Sequence, residues 1–230
     1  MVERLAPVDS GWAAVDRMIC DTLLSGDAAL DAALAANAAA GLPDIDVSPA
    51  QGKMLHLLAR MASAQRILEI GTLGGYSTVW LARGMQAGGR LITLEIDPHH
   101  AKVARENVAQ AGLADRVEVR EGPAIDTLTA MQADGERPFD LIFIDADKSS
   151  NLAYFSAAVA LSRAGTAIIV DNVVREGGIL DADSQDARII GTRALINAVA
   201  TMPGISATVV QTVGAKKWDG FLLALVGDIR

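Results

Sequence analysis

At 230 residues and 24.0 kDa the chain has room for one or two domains, and its 51% hydrophobic content supplies a core that excludes intrinsic disorder. The balance of 20 Lys and Arg against 28 Asp and Glu leaves a net charge of -8, a poor match to a phosphate backbone, so no nucleic-acid partner is expected. Cys20 stands alone and cannot close a disulfide within one chain.

Met1–Asp9 carries Glu3 and Asp9 with no apolar stretch after a basic start, so no targeting segment is expected. The apolar run Phe221–Gly227 is far shorter than the roughly 20 residues that span a bilayer. A soluble cytoplasmic protein without a membrane partner is the expectation. Ala28 to Ala40 is rich in alanine, the strongest helix former. Ser48 and Pro49 then read as the N-cap and first position of a further helix. Residues 11–64 therefore predict two or three helices ahead of the main domain.

From Arg66 onward the pattern changes. Short apolar runs at Arg66–Gly71, Arg90–Asp97, Val117–Gly122, Phe139–Ala146 and Gly165–Asn172 alternate with helix-length segments. Runs of this kind fit parallel strands buried on both faces. The intervening helices are predicted at Tyr76–Gln86, Pro98–Ala111, Ala124–Ala133 and Asn151–Ser162, with Asp97-Pro98 starting the second. A helix over Ser184–Thr201 precedes two last strands, Ser206–Val213 and Gly220–Gly227. Their separation of about six residues is too short for a helical crossover and predicts an antiparallel hairpin. The fold class is α/β: a doubly wound, Rossmann-like seven-stranded sheet with one reversed strand, flanked by helices. It is expected as one domain over 1–230, with 1–64 a helical extension and 65–230 the core.

The first strand-to-helix turn reads Glu69-Ile-Gly71-Thr72-Leu-Gly74-Gly75-Tyr-Ser77. Glycines here let the backbone approach a ligand at a helix N-terminus. The spacing is not the dinucleotide fingerprint G-x-G-x-x-G. Glu69 would repel a pyrophosphate and suits a positive ligand such as an α-ammonium or a sulfonium; the plainer alternative is a tight turn beside an ordinary acid. Glu95, some 20 residues beyond the glycine turn, is placed to accept both hydroxyls of a ribose, while Asp97 is taken as a helix cap. Asp145, Asp171 and Asn172 end neighbouring strands and offer oxygen donors without thiol or imidazole, a set that suits Mg²⁺, Mn²⁺ or Ca²⁺. They could equally cap the helices that follow.

Glu69 to Ser77, Glu121-Gly-Pro-Ala124, Phe139-Asp140 with Asp145-Ala-Asp-Lys148, and Asp171-Asn172 together resemble the cation-dependent, S-adenosylmethionine-using O-methyltransferases, the group of the caffeoyl-CoA and catechol enzymes. The resemblance runs from about Val47 to Val226. It implies that Val47, Glu69, Gly71, Thr72, Ser77, Glu95, Ala124 and Asp145 contact the methyl donor. It further implies that Asp145, Asp171 and Asn172 hold a divalent cation, Mg²⁺ first, with Asp145 and Lys148 beside the reacting oxygen. The expected acceptor is a small aromatic vicinal diol, catechol-like or hydroxycinnamoyl-type, and the expected assembly a homodimer through the N-terminal helices. Catechol-type members carry an acid just before the last strand; here the stretch reads Lys216-Lys217-Trp218.

His56, His99 and His100 show no metal-ligand spacing and read as surface or packing residues. Trp218 could wall a pocket or simply pack, and Val173–Asp183, with Gly177-Gly178, could be a lid or a plain connection. The competing classes are a nucleotide-cofactor oxidoreductase and a non-catalytic small-molecule binder on the same fold.

Overall fold

The structure, a computed structural model, describes residues 11–24 and 26–228; the Met1–Asp9 reading lies outside them. Seven strands form one sheet in the order β3-β2-β1-β4-β5-β7-β6. The strands are β1 (Arg66–Ile70), β2 (Arg90–Glu95), β3 (Val117–Glu121), β4 (Phe139–Ile144), β5 (Ser162–Val170), β6 (Ile205–Gly214) and β7 (Lys217–Val226). β1 to β5 are mutually parallel, and β7 runs antiparallel to both β5 and β6, as the alternating sequence predicted. The helices are α1 (Gly11–Leu23), α2 (Ala28–Ala39), α3 (Pro49–Met61), α4 (Tyr76–Gly84), α5 (Pro98–Gln110), α6 (Ala124–Ala133), α7 (Asn151–Ala160) and α8 (Ala187–Val199).

Alternation along the strands sorts the core into two layers. Leu68, Ile70, Ile142, Ile144 and Ile168 meet α6, α7 and α8 on one face. Ile67, Leu141, Phe143 and Ile169 meet α2, α3, α4 and α5 on the other. Each fully buried aliphatic side chain contributes about 1.5–3 kcal/mol relative to exposure, so α2 and α3, through Leu30, Ala33, Leu55 and Ala59, are integral to that second layer. α1 buries no residue. Ser48 caps α3 through the Gln51 N–H at 3.2 Å, and Asp97 caps α5 through His99 and His100, both as expected.

Many element ends shift by one to three residues, Ser184–Thr201 for instance narrowing to Ala187–Val199, and two of the shifts bear on the sheet. β5 begins at Ser162, where a register irregularity between Phe139 and Leu141 lets polar residues pair. The final hairpin is much tighter than a six-residue gap: Gly214 pairs with Lys217 across Ala215-Lys216, and Lys217 takes a left-handed φ of 74°. Lys217 and Trp218 thus belong to β7 itself.

Candidate active site

The carboxyl ends of β1, β2, β4 and β5 lie side by side and carry most of the predicted site residues. At the end of β1 the chain turns through Gly71, whose φ of 97° favours glycine. A Cβ there would collide with the Asp145 carbonyl oxygen, so the turn and the end of β4 are in backbone contact. Gly75, at φ 83°, starts α4 with no side-chain cap, leaving the first N–H groups of that helix available to an anion.

Glu69 has no solvent exposure. Its carboxyl accepts hydrogen bonds from Ser77 Oγ at 2.6 Å and Thr78 Oγ1 at 2.5 Å. Burial, with the Asp145 charge adding a smaller effect, pushes its pKa up to about 7. Glu95, also buried, accepts from the Thr72 and Leu73 N–H groups at 3.1 and 2.8 Å through one oxygen and from the Asp97 N–H at 3.0 Å through the other. A carboxylate offers about four lone-pair sites, so Glu95 pins the glycine turn with two backbone bonds, spends a third on Asp97 and keeps little acceptor capacity beyond them. Thr72 Oγ1 meets Thr93 Oγ1 at 2.6 Å. Val47 is buried in the layer beside α3 and α4, and Ala124 opens α6, half-buried.

Asp145 and Asp171 follow paired residues Ile144 and Val170 on adjacent strands. Lys148, 8% exposed, donates to Asp145 Oδ1 at 2.5 Å. Asp171 is buried; one oxygen accepts the Asn172 N–H at 2.8 Å and the other the Gln51 amide at 2.7 Å. Burial and the neighbouring Asp145 charge raise the Asp171 pKa, while Lys148 opposes them. Asn172 sits at a left-handed φ of 56°, a conformation asparagine tolerates better than most residues. Among the described residues no three Asp, Glu, His or Cys side chains gather as a metal site; Asp145 and Asp171 bring two carboxylates, and Asn172, next in the chain, adds a carboxamide to the residues at these strand ends. That hard-oxygen set, with Lys148 beside it, fits a divalent cation such as Mg²⁺.

The segment after Asn172 forms a 3-10 turn over Arg175–Leu180. Asp219 on β7 holds its start, accepting from the Val174 and Arg175 N–H groups at 3.0 and 2.9 Å. Trp218 lies against Gly177, where a Cβ would crowd the indole, and donates to Gln211 at 3.0 Å. Trp218 therefore packs against the loop. Lys216 and Lys217 pair with Asp44 and Glu176, joining the hairpin turn to the N-terminal segment and the loop. His99 bonds the Ala40 carbonyl, His56 packs edge-on to Trp80, and His100 lies 3.7 Å from Glu95.

A second polar network escaped the sequence reading. The Asn37 amide donates to both Asp46 oxygens at 3.0 and 3.2 Å, and its carbonyl accepts from Asn107, which also donates to the Gly74 carbonyl at 2.8 Å. It ties α2, the segment before Val47, α5 and the glycine turn together. Its members stand far apart in sequence, with no local pattern to join them. Gln51 was missed for a different reason: three residues after a serine cap, it reads as capping chemistry.

A doubly wound sheet with a glycine turn after β1, an acid after β2 and an oxygen-rich pair after β4 and β5 defines an α/β enzyme that binds a small ligand at its strand ends. The chain belongs to the O-methyltransferase family, whose pattern matches residues 27–225, beginning some 20 residues before the stretch that carried the resemblance. It is 57% identical over 212 residues to the catechol O-methyltransferase of Mycobacterium tuberculosis, covering 92% of this chain and 94% of that one. It is 49% identical to the catechol O-methyltransferase of Niastella koreensis, over 92% and 96% of the two chains. The crystal structure of the O-methyltransferase from Bacillus cereus in complex with SAH superposes with a TM-score of 0.92 at 54% identity, covering 94% of this chain and 98% of that one.

Proposed function

We propose that this protein transfers a methyl group from S-adenosylmethionine to one hydroxyl of a small aromatic vicinal diol, with a divalent cation held by Asp145, Asp171 and Asn172. The observation that carries this reading is the cluster of Asp145, Lys148, Asp171 and Asn172 at the strand ends beside the glycine turn. The catechol-methylating names of the two relatives support the acceptor class.

Val47, Gly71, Thr72, Ser77, Glu95 and Ala124 line the donor's place around that turn. The uncapped start of α4 suits the donor's carboxylate. Glu69 supplies negative charge behind Ser77, suiting the ammonium or sulfonium. Glu95 holds the turn in place and retains a lone pair for a ribose hydroxyl. A phenol has pKa about 10 and is almost wholly protonated at neutral pH; a bound Mg²⁺ supplies Lewis acidity that lowers this value. Lys148, held by Asp145, is placed to take the hydroxyl proton and, once protonated, to stabilise the acceptor's oxyanion. Attack of that oxyanion on a sulfonium dissipates charge, which a site closed to water favours. Val173–Asp183, anchored by Asp219, is the wall that closes it.

Two adjacent hydroxyls offer one cation two oxygens where a monophenol offers one. Vicinal diols should therefore exceed matched monophenols by roughly tenfold or more in kcat/KM, about 1.4 kcal/mol of transition-state binding. Equal values for a catechol and its monohydroxy analogue would contradict the diol assignment.

We further read the chain as one catalytic domain working in the cytoplasm as a homodimer through its N-terminal helices. α1 exposes Val15, Met18 and Leu23, and α3 exposes Leu57 and Met61, apolar side chains that a second copy would cover.

A further inference from the structure

We propose that Gln51, on α3 of the N-terminal extension, is a positioning residue for the cation site, which makes that extension a working part of the catalytic centre. The proposal rests on the reading of Asp171 as a cation ligand. Gln51 Nε2 donates to Asp171 Oδ2 at 2.7 Å, and the Asn172 N–H donates to Oδ1 at 2.8 Å. One neutral donor on each oxygen fixes the rotation of the buried carboxylate and leaves each oxygen a lone pair toward a cation.

Three observations show that this contact is built. First, Gln51 forgoes its local partner. Ser48 Oγ accepts the Gln51 N–H at 3.2 Å, and in the usual reciprocal bond the Ser48 N–H would donate to the glutamine side-chain oxygen. The side chain instead crosses to a residue 120 positions away. Second, α3 has little freedom at this level. A Cβ on Gly52, the next residue, would collide with the Trp80 ring on α4, and Leu55 is fully buried one turn on.

Third, the chemistry of an amide suits the position. A lysine at 51 would compete with the cation for Asp171. A glutamate would repel the carboxylate. A neutral donor orients Asp171 while leaving the negative charge of the pair intact. Partners that orient metal ligands from behind typically carry 10–100-fold in metal affinity.

Gln51→Met removes the donor at similar volume, and Gln51→Asn keeps an amide that falls short of Asp171. Mg²⁺ titration calorimetry with S-adenosylhomocysteine present should show both variants binding Mg²⁺ about tenfold or more weakly than wild type. Their S-adenosylhomocysteine affinities should match wild type, their metal-free melting temperatures should fall by no more than the loss of one hydrogen bond to a buried carboxylate, and their turnover should recover at high Mg²⁺. Wild-type Mg²⁺ affinity in Gln51→Met would overturn the positioning role, as would a loss matched by an equal fall in S-adenosylhomocysteine affinity in both variants. A wild-type protein that binds no Mg²⁺ would overturn the cation reading and this proposal with it.

Discussion

Glu69 is a carboxyl with no exposure, held by two hydroxyls and no cation of its own. Its folded pKa of about 7 lies above its ordinary 4.5, so the folded state binds the proton more tightly than the unfolded chain. The sign follows: the group costs nothing below pH 4.5, and stability falls as pH rises from there through about 7. Glu69→Gln should remove this slope and raise the melting temperature above wild type at pH 8, while weakening donor binding. A wild-type melting temperature that climbs across that interval as a result of Glu69, with Glu69→Gln less stable at pH 8, would contradict the buried-acid assignment. Glu95 carries a different burden. Three backbone bonds to its carboxylate mean that Glu95→Ala loses stability, by about 1–3 kcal/mol for the donors left unpaired, as well as donor affinity by roughly tenfold to a hundredfold. The Thr72 and Leu73 N–H groups are what couple the two losses. Urea unfolding and calorimetry would measure the two losses separately.

Among the elements, α2 and the segment before α3 are joined to the glycine turn by Asn37 and Asn107, each 3% exposed or less. Asn37→Ala leaves Asp46 and Asn107 short of a partner and opens space beside Gly74. It should cost about 2 kcal/mol and weaken donor binding by loosening Val47, as chemical unfolding and calorimetry would show; unchanged donor affinity would separate this network from the donor's place. The strands were legible because β1, β2, β4 and the second half of β5 are largely buried on both faces and read as mainly apolar runs between turn residues. The ends were not. Polar Ser162 to Gly165 hides the start of β5, and Lys217-Trp218-Asp219 hides the start of β7, since strand pairing near an exposed edge leaves no apolar trace. Of the site, strand-end acids and glycines were visible because their position in a βα unit fixes their place. Gln51, Asn37 and Asn107 were not, because each acts on a partner supplied by tertiary packing.

For the whole molecule, a net charge of -8 and a site where Asp145 and Asp171 lie beside one buried lysine, with Glu69 close to Asp145, accord with the cationic ligands proposed above. Among the described residues no helix is long and apolar enough to cross a membrane. If two copies pair through α1 and α3, light scattering should give twice the chain mass, and Met18→Lys with Met61→Lys should yield monomers; a wild-type monomer at micromolar concentration would exclude the pairing. Cation dependence can be read in one measurement: transfer of labelled methyl from S-adenosylmethionine to a catechol, after exhaustive chelation and again after Mg²⁺ is returned. Transfer should vanish under chelation and return with Mg²⁺ or Mn²⁺, and full activity in the chelated protein would contradict the roles of Asp145, Asp171 and Asn172 together.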